Sequence, residues 1–182
     1  MENNAYKRFL DGDKEALREI IRDHQSGLVM YLNSYVRDLN TADELCSEVF
    51  VRLAMKKPNY RGGSSFKTFL YAIGRNVALE YLRLNKRTQT VPLDELLEFP
   101  DEADPAETFL DNERSETIYR ALGKLKPEYA QALWLAYFEE LSNKEIAAVM
   151  KKSLSAVKSL LHRAKPALKE ELEKEGFDYD EL

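Results

Sequence analysis

The spacing of apolar residues near the start of the chain constrains the fold most strongly. Large apolar side chains recur three and four residues apart over about five helical turns, from Leu17 to Tyr35. That spacing places them on one face of an α-helix. A second stripe of the same kind runs from Phe66 to Tyr81, and no segment shows a sustained alternation of apolar and polar residues. The sequence therefore predicts an all-α fold without a β-sheet.

Capping signals predict where further helices begin. Thr41 followed by Glu44 has the pattern of a capping box, which would open a helix whose inward residues include Phe50. Two more helices are predicted near residues 112–124 and 127–139. Trp134, Leu135 and Phe138 are expected in a core, and His24 is expected to be a core or edge histidine rather than a ligand because it lies on the first apolar stripe.

Two short predicted helices near the C-terminal end have the pattern of a helix-turn-helix. Ser142 and Glu145 form a second capping box, and Ser153 can cap the helix that follows the Lys151–Lys152 turn. Pro166 lies inside that second helix and is expected to bend or end it. In this motif the second helix enters the major groove of DNA. Its outward-facing residues, which could contact phosphates and base edges, are Ser155, Lys158, Ser159, His162 and Arg163.

An acidic, proline-containing segment divides the chain. Residues 88–116 contain ten acidic residues against one basic residue, together with three prolines. Prolines remove helical hydrogen bonds, and like charges repel one another and extend the chain. We therefore predict two small helical domains, residues 1–87 and 112–182, joined by an acidic flexible linker over residues 88–111.

The two predicted domains each contain a basic block, although the net charge of the chain is −5. Residues 56–87 have eight basic residues against one acidic residue, and residues 144–169 have seven against one. Basic blocks on folded elements are typical of proteins that bind phosphate backbones. The alternative, two solvated helix faces, stays open at this point.

The first basic block contains a glycine-bearing loop that is suited to single-stranded nucleic acid. Glycines let a backbone approach a ligand closely, and an aromatic ring offers a stacking face for an unpaired base. The candidate residues of this block are Tyr60, Arg61, Gly62, Gly63, Ser64, Arg75 and Asn76. A plain surface loop with an exposed tyrosine is the competing interpretation.

The residue inventory argues against several other classes of protein. Cys46 is the single cysteine, the two histidines lie far apart, and no glycine-rich phosphate loop is present. We therefore expect no metal site, no catalytic residues and no cofactor. The longest uninterrupted apolar run, Ala132–Phe138, is too short to cross a membrane, and the chain begins without a secretory signal. These features predict a cytoplasmic binding protein that does not insert into a membrane.

The order of four segments resembles that of the extracytoplasmic-function sigma factors of bacteria over nearly the whole chain. An acidic helix at residues 42–50 precedes the basic block at residues 60–87, and an acidic linker follows. The segments Asn143–Ala147 and Ala156–Ala164 then complete the pattern.

The resemblance implies a set of partners and sites. The first domain would bind the clamp helices of the largest subunit of RNA polymerase core through Asp43, Glu44, Glu48 and Phe50. Its glycine loop, with Arg75 and Asn76, would capture a flipped base of the opened −10 promoter element. The second domain would contact the β flap of the polymerase and read the −35 element through the helix-turn-helix. An anti-sigma factor is a further implied partner.

Two other functions were weighed against this one. A free-standing helix-turn-helix regulator would bind duplex DNA as a dimer, which requires a dimerisation face that the sequence does not offer. A nuclease or deaminase would need paired carboxylates or histidine and cysteine zinc ligands. The sequence favours a promoter-specificity subunit that binds RNA polymerase and opens promoter DNA in transcription initiation.

Overall fold

The computed structural model describes residues 2–58, 60, 62–88 and 113–177, and every regular element within these ranges is helical. The all-α prediction is therefore confirmed for this part of the chain. The helices are α1 (Glu2–Leu10), α2 (Lys14–Val36), α3 (Leu39–Lys56), α4 (Phe66–Thr88), α5 (Glu113–Lys124), α6 (Pro127–Leu133), α7 (Asn143–Met150) and α8 (Leu154–Lys174). One π-helical turn, Trp134–Phe138, directly follows α6.

The helices form two compact units, which agrees with the predicted pair of small helical domains. The N-terminal unit contains α1–α4, and the C-terminal unit is built on α5, α6 and α8. All but the first residue of the predicted linker, and the last five residues of the chain, lie outside the described residues.

The core of the N-terminal unit forms where α2, α3 and α4 pack together. The predicted stripe lies on α2, which is capped by the Asp13 carboxylate, and His24 is buried as predicted. Gly74 marks the point where α4 comes closest to α2, since a Cβ atom there would lie 2.9 Å from Cδ1 of Leu28. A glycine at this position lets the two helices approach each other, so that long apolar side chains fill the space on both sides.

Two sequence-based expectations about helix starts need correction. α3 begins at Leu39 rather than after a Thr41–Glu44 capping box, because the side chain of Asp38 caps it by accepting a hydrogen bond of 2.7 Å from the Thr41 N–H. The hydrogen bonds from Thr41 lower the pKa of Asp38. The structure also contains a helix that the sequence did not predict: α1, a short helix whose inward residues include Tyr6 and Phe9.

The C-terminal unit has an aromatic stack beside its buried core. Trp134 and Leu135 are buried, as predicted. Phe138 is 40% exposed, so its assignment to the core was wrong; its ring instead lies flat against Trp134, with the centroids 4.3 Å apart. Tyr119 of α5 stacks on the same pair of rings. The π-helical turn brings Trp134 and Phe138 into register for this contact.

The described helices include none that is both long enough and apolar enough to cross a membrane.

Candidate nucleic-acid interface

The predicted helix-turn-helix is present, and local hydrogen bonds define it. Ser142 and Glu145 form the predicted capping box at the start of α7, with 2.9 Å between the Ser142 N and Oε2 of Glu145. The turn contains no glycine, and Lys151 adopts a left-handed conformation with φ of 52°. A non-glycine residue in this conformation costs about 1 kcal/mol. Ser153 then caps α8 by accepting a hydrogen bond from the Ala156 N–H.

The outward face of α8 presents all five predicted DNA-binding residues to solvent. Ser155, Lys158, Ser159, His162 and Arg163 are exposed, while Val157, Leu160 and Leu161 on the opposite face are buried. α8 continues through Pro166 to Lys174, so the proline does not end the helix. A surface of this kind offers cationic and hydroxyl groups to phosphates and base edges in a major groove.

One contact ties the turn of the motif to α6 and another ties it back to α7. Nζ of Lys152 lies 2.9 Å from Oε1 of Glu128 in α6. The Lys152 N–H also donates to the Ala147 carbonyl over 3.0 Å. These bonds position Ser153, and through it the N-terminus of α8, where the helix dipole favours an anion.

The glycine loop, residues 58–65, connects α3 to α4. Gly62 has φ of +72°, which a side chain would disfavour, and a Cβ at Gly62 or Gly63 would meet open space. The backbone is therefore accessible at both glycines. Ser64 and Ser65 are half-buried, and the Ser65 hydroxyl bonds to Thr68 at the start of α4. The predicted site residue Arg61 lies outside the described residues.

Tyr60 has a structural role in this loop. Its ring packs against Phe69, with the centroids 5.2 Å apart, and meets Phe66 edge-on at 6.1 Å. Its hydroxyl donates to the carbonyl of Ser64, which closes the loop. The sequence analysis expected this ring to stack on an unpaired base, but much of its surface already contacts the protein.

Arg75 and Asn76 lie on α4, away from the glycine loop. Asn76 is exposed, and Arg75 is half-buried near Tyr31, whose hydroxyl hydrogen-bonds that of Tyr35. Ten residues separate Phe66 from Asn76, which corresponds to about 15 Å along a helix. The loop and Asn76 therefore form two neighbouring contact points rather than one pocket.

The predicted polymerase-binding residues of α3 are placed unequally. Asp43 and Glu44 are exposed. Phe50 is only 7% exposed, so it belongs to the core and is not available for direct contact. Glu48 accepts a hydrogen bond of 2.6 Å from Nε of Arg52.

Arg52 links α3 to α4. Its Nη1 lies 2.7 Å from Oε2 of Glu80, in addition to its contact with Glu48. The two carboxylates raise the pKa of Arg52, and the guanidinium lowers the pKa of Glu80. Because both carboxylates are about half exposed, we expect the bridge to orient the helices more than it stabilises them.

Sequence reasoning missed two functional candidates on α3. Val51 is 52% exposed and Met55 is 79% exposed. The spacing of Glu44, Glu48, Val51 and Met55 places them on one helix face. Their position outside the buried stripe is the signal that could have identified them. The resulting surface, which we call the α3 face, combines carboxylates with exposed apolar groups.

No group of three or more histidine, cysteine or acidic residues within the described ranges could hold a metal ion. Burial raises the pKa of the Cys46 thiol to about 12, with a further contribution from Asp43. A thiol with so high a pKa is a poor nucleophile at neutral pH.

Comparison with known proteins gives a consistent result along the chain. Residues 20–88 match the family model of Sigma-70 region 2, and residues 115–168 match that of Sigma-70, region 4. The chain is 30% identical over 163 residues to the RNA polymerase sigma factor YlaC of Bacillus subtilis, with 88% of this chain and 94% of that protein covered. It is 29% identical over 153 residues to the ECF RNA polymerase sigma factor SigM of the same organism, with 83% and 91% covered.

A solved structure shares the fold. The sigma factor RpoE from Bartonella quintana, in complex with the anti-sigma factor NepR, superimposes with a TM-score of 0.69 at 22% sequence identity. The match covers 86% of this chain and 96% of that one.

Proposed function

The chain belongs to the sigma-70 family of RNA polymerase sigma factors, and we propose that it acts as an extracytoplasmic-function sigma factor with three separate binding surfaces. In this proposal the α3 face binds RNA polymerase core. The α8 face reads duplex DNA at the −35 element, and the glycine loop with Asn76 contacts the opened −10 element. Residues 1–87 and 112–182 would be the two domains that carry these surfaces.

The α3 face is the observation that separates this function from that of a free-standing DNA-binding regulator. Exposed carboxylates repel the phosphate backbone, so this face is unsuited to DNA. Exposed Val51 and Met55 on this face favour a protein partner, because their burial removes apolar surface from water. A chain with both a protein-binding face and a DNA-binding helix fits a subunit that directs a larger enzyme to DNA.

The two DNA-binding surfaces suit two states of the promoter. The regular, basic face of α8 matches the width of a major groove in duplex DNA. The glycine loop offers accessible backbone and hydroxyl groups beside a short turn, which suits a single strand with unstacked bases. We infer that duplex docking through α8 precedes strand capture by the loop, since the loop needs an opened strand.

The proposal extends to regulation and location. The related structure from Bartonella quintana contains an anti-sigma factor, and we propose that a protein of that class also sequesters this chain. The protein would act in the cytoplasm, where RNA polymerase and the chromosome are. It would contribute binding and no catalysis of its own.

The experiment that tests the proposal is comigration with bacterial RNA polymerase core on gel filtration. The wild-type chain should elute with core. The double variant Glu44→Lys with Met55→Glu should elute mainly as free protein, because it reverses one charge and removes the most exposed apolar group of the α3 face. The matched control, Glu15→Lys with Leu10→Glu, changes an exposed acid and an exposed apolar residue outside the α3 face and should still comigrate.

Failure of the wild-type chain to comigrate with core would contradict the proposal. Equal loss of comigration in both double variants would remove the α3 face as the binding surface.

A further inference from the structure

α1 packs against the glycine loop although it precedes the residues that match the family model of region 2. That match begins at residue 20, whereas α1 spans Glu2–Leu10. Its inward side chains, Tyr6 and Phe9, are buried. Both contact the glycine loop or the residue just before it, which connects the start of the chain to a segment about 50 residues away.

Tyr6 contacts both ends of the glycine loop. Its hydroxyl donates a hydrogen bond of 2.9 Å to the carbonyl of Pro58, the first residue of the loop. Its ring stacks on Phe66, the first residue of α4, with the centroids 5.2 Å apart and the planes inclined by 28°. A single side chain that is 1% exposed therefore links the points where the chain enters and leaves the loop.

Tyr6 also supports the aromatic residue inside the loop. Its ring meets that of Tyr60 edge-on, with the centroids 6.4 Å apart, and lies 6.0 Å from that of Phe69. Tyr60 in turn bonds to the carbonyl of Ser64. The contacts thus continue from α1 through Tyr60 to the part of the loop that follows the two glycines.

α1 itself is held in place on both sides. Arg8 pairs with Asp13 over 3.1 Å and with Glu19 of α2 over 2.7 Å. On the side of the loop, Nζ of Lys57 lies 5.2 Å from the centroid of the Phe9 ring. These contacts fix α1 against α2, so Tyr6 has a fixed support from which to position the loop.

We propose that Tyr6 is a positioning residue for the DNA-binding loop: its hydroxyl and ring hold Pro58 and Tyr60 in the conformation that receives the opened promoter strand. This inference rests on the proposed function, and it assigns to α1 a role within that site. The loss of the hydroxyl would leave the Pro58 carbonyl without this hydrogen bond and would let the loop sample other conformations before DNA binds. Capture of the strand would then require reordering of the loop, which lowers the apparent affinity for it.

The test compares Tyr6→Phe with Tyr71→Phe in the full chain. The first substitution removes the hydroxyl that reaches the loop and keeps the ring. The second removes a hydroxyl from another fully buried tyrosine of the same unit, whose ring packs against Tyr31 on α2. Two readouts are needed: amide hydrogen exchange of residues 62–66, and promoter opening by permanganate reactivity with RNA polymerase core on a duplex template that the wild-type chain selects from genomic fragments.

We expect Tyr6→Phe to accelerate exchange in residues 62–66 by about fivefold, the size of one hydrogen bond's net contribution. Opening should fall by a similar factor while comigration with core and duplex footprinting stay at the wild-type level. Tyr71→Phe should match the wild type in both loop exchange and opening.

Unchanged loop exchange in Tyr6→Phe would overturn the inference, and so would faster exchange with wild-type opening. Equal loss of opening in both variants would reduce Tyr6 to a general contributor to stability. If the wild-type chain opens no template, the proposed function fails and the DNA role of Tyr6 fails with it. The exchange measurement distinguishes that outcome from a failure of the loop contact alone.

Discussion

The glycine loop and the α8 face obtain their conformations in different ways. The α8 face is made locally, since Ser153 caps the helix, and the exposed residues follow from helical periodicity within about ten positions. The conformation of the glycine loop depends on a residue that is distant in sequence, because Tyr6 contacts Pro58, 52 positions further along the chain. The loop's own aromatic, Tyr60, is used to build the loop.

On the α8 face, DNA binding and protein stability therefore depend on different residues. At the glycine loop, they depend on the same buried residues. Substitutions on the α8 face remove exposed groups, so they should weaken DNA binding without unfolding the protein. Substitutions beneath the glycine loop remove buried groups, so they should affect folding and DNA capture together. The following predictions test that contrast, from the largest expected effect to the smallest.

Phe66→Ala should destabilise the N-terminal unit by about 3–5 kcal/mol, because it empties a buried site shared by Tyr6, Tyr60 and His24. Cys46 provides the measurement. Its side chain is buried in the folded protein and burial raises the pKa of its thiol, so labelling by a thiol reagent at pH 8 reports unfolding. Labelling as a function of urea should shift to lower concentration in the variant.

The control for this prediction is Leu84→Ala on the same helix, since Leu84 is more than half exposed. The free energy of unfolding of this variant should stay within about 0.5 kcal/mol of the wild-type value. Equal shifts in both variants would contradict the view that the loop stands on a buried cluster.

Lys158→Ala with His162→Ala should weaken recognition of a required −35 element by about 100-fold, since a good base or phosphate contact contributes about 1–3 kcal/mol. Both side chains are exposed, so the urea transition should not move. Footprinting of the complete polymerase on a selected promoter measures the effect, with comigration with core as the control. Equal loss of core binding would show that the α8 face was assigned wrongly.

Asn76→Ala should slow promoter opening by about tenfold while initial docking on the duplex stays unchanged. The exposed amide can donate to and accept from a base edge, and its loss leaves the helix intact because alanine is a good helix former. Permanganate reactivity of the opened strand measures the effect against time. Unchanged opening would remove Asn76 from the site and leave the loop alone at the −10 element.

Ser153→Ala should have the smallest effect, about 1 kcal/mol on the stability of the C-terminal unit, because it removes the N-cap of α8. Trp134 is the single tryptophan of the chain and lies in that unit, so its fluorescence during urea unfolding provides the measurement. A loss much larger than this would show that the α8 face depends on more than its local cap.

The same contrast explains what the sequence could predict. Periodicity indicated α2, α4 and the exposed residues of α8, because each is decided within a few turns of one helix. The Ser142–Glu145 capping box is local in the same sense, and the structure confirms it. The family resemblance likewise depends on the order of such local segments along the chain.

The remaining features depend on contacts that a single stretch of sequence does not show. α1 is a short helix of nine residues, and only its packing against the glycine loop reveals its use. Helical spacing correctly predicts that Phe50 lies inward, and its polymerase-binding role was implied only by the family resemblance. Spacing also placed Phe138 in the core, but the structure leaves it partly exposed. The predicted start of α3 was too late because Asp38, three residues before Thr41, caps the helix. Thr41 itself lies inside the first turn.

Multi-round transcription with purified bacterial RNA polymerase core tests the central claim most directly. The templates are a pool of genomic promoter fragments, and the reaction is run with and without this protein. The account predicts specific new transcripts that share two sequence elements and disappear with Lys158→Ala and His162→Ala. An unchanged set of transcripts, with no comigration of the protein with core, would contradict it and indicate a regulator that binds duplex DNA on its own.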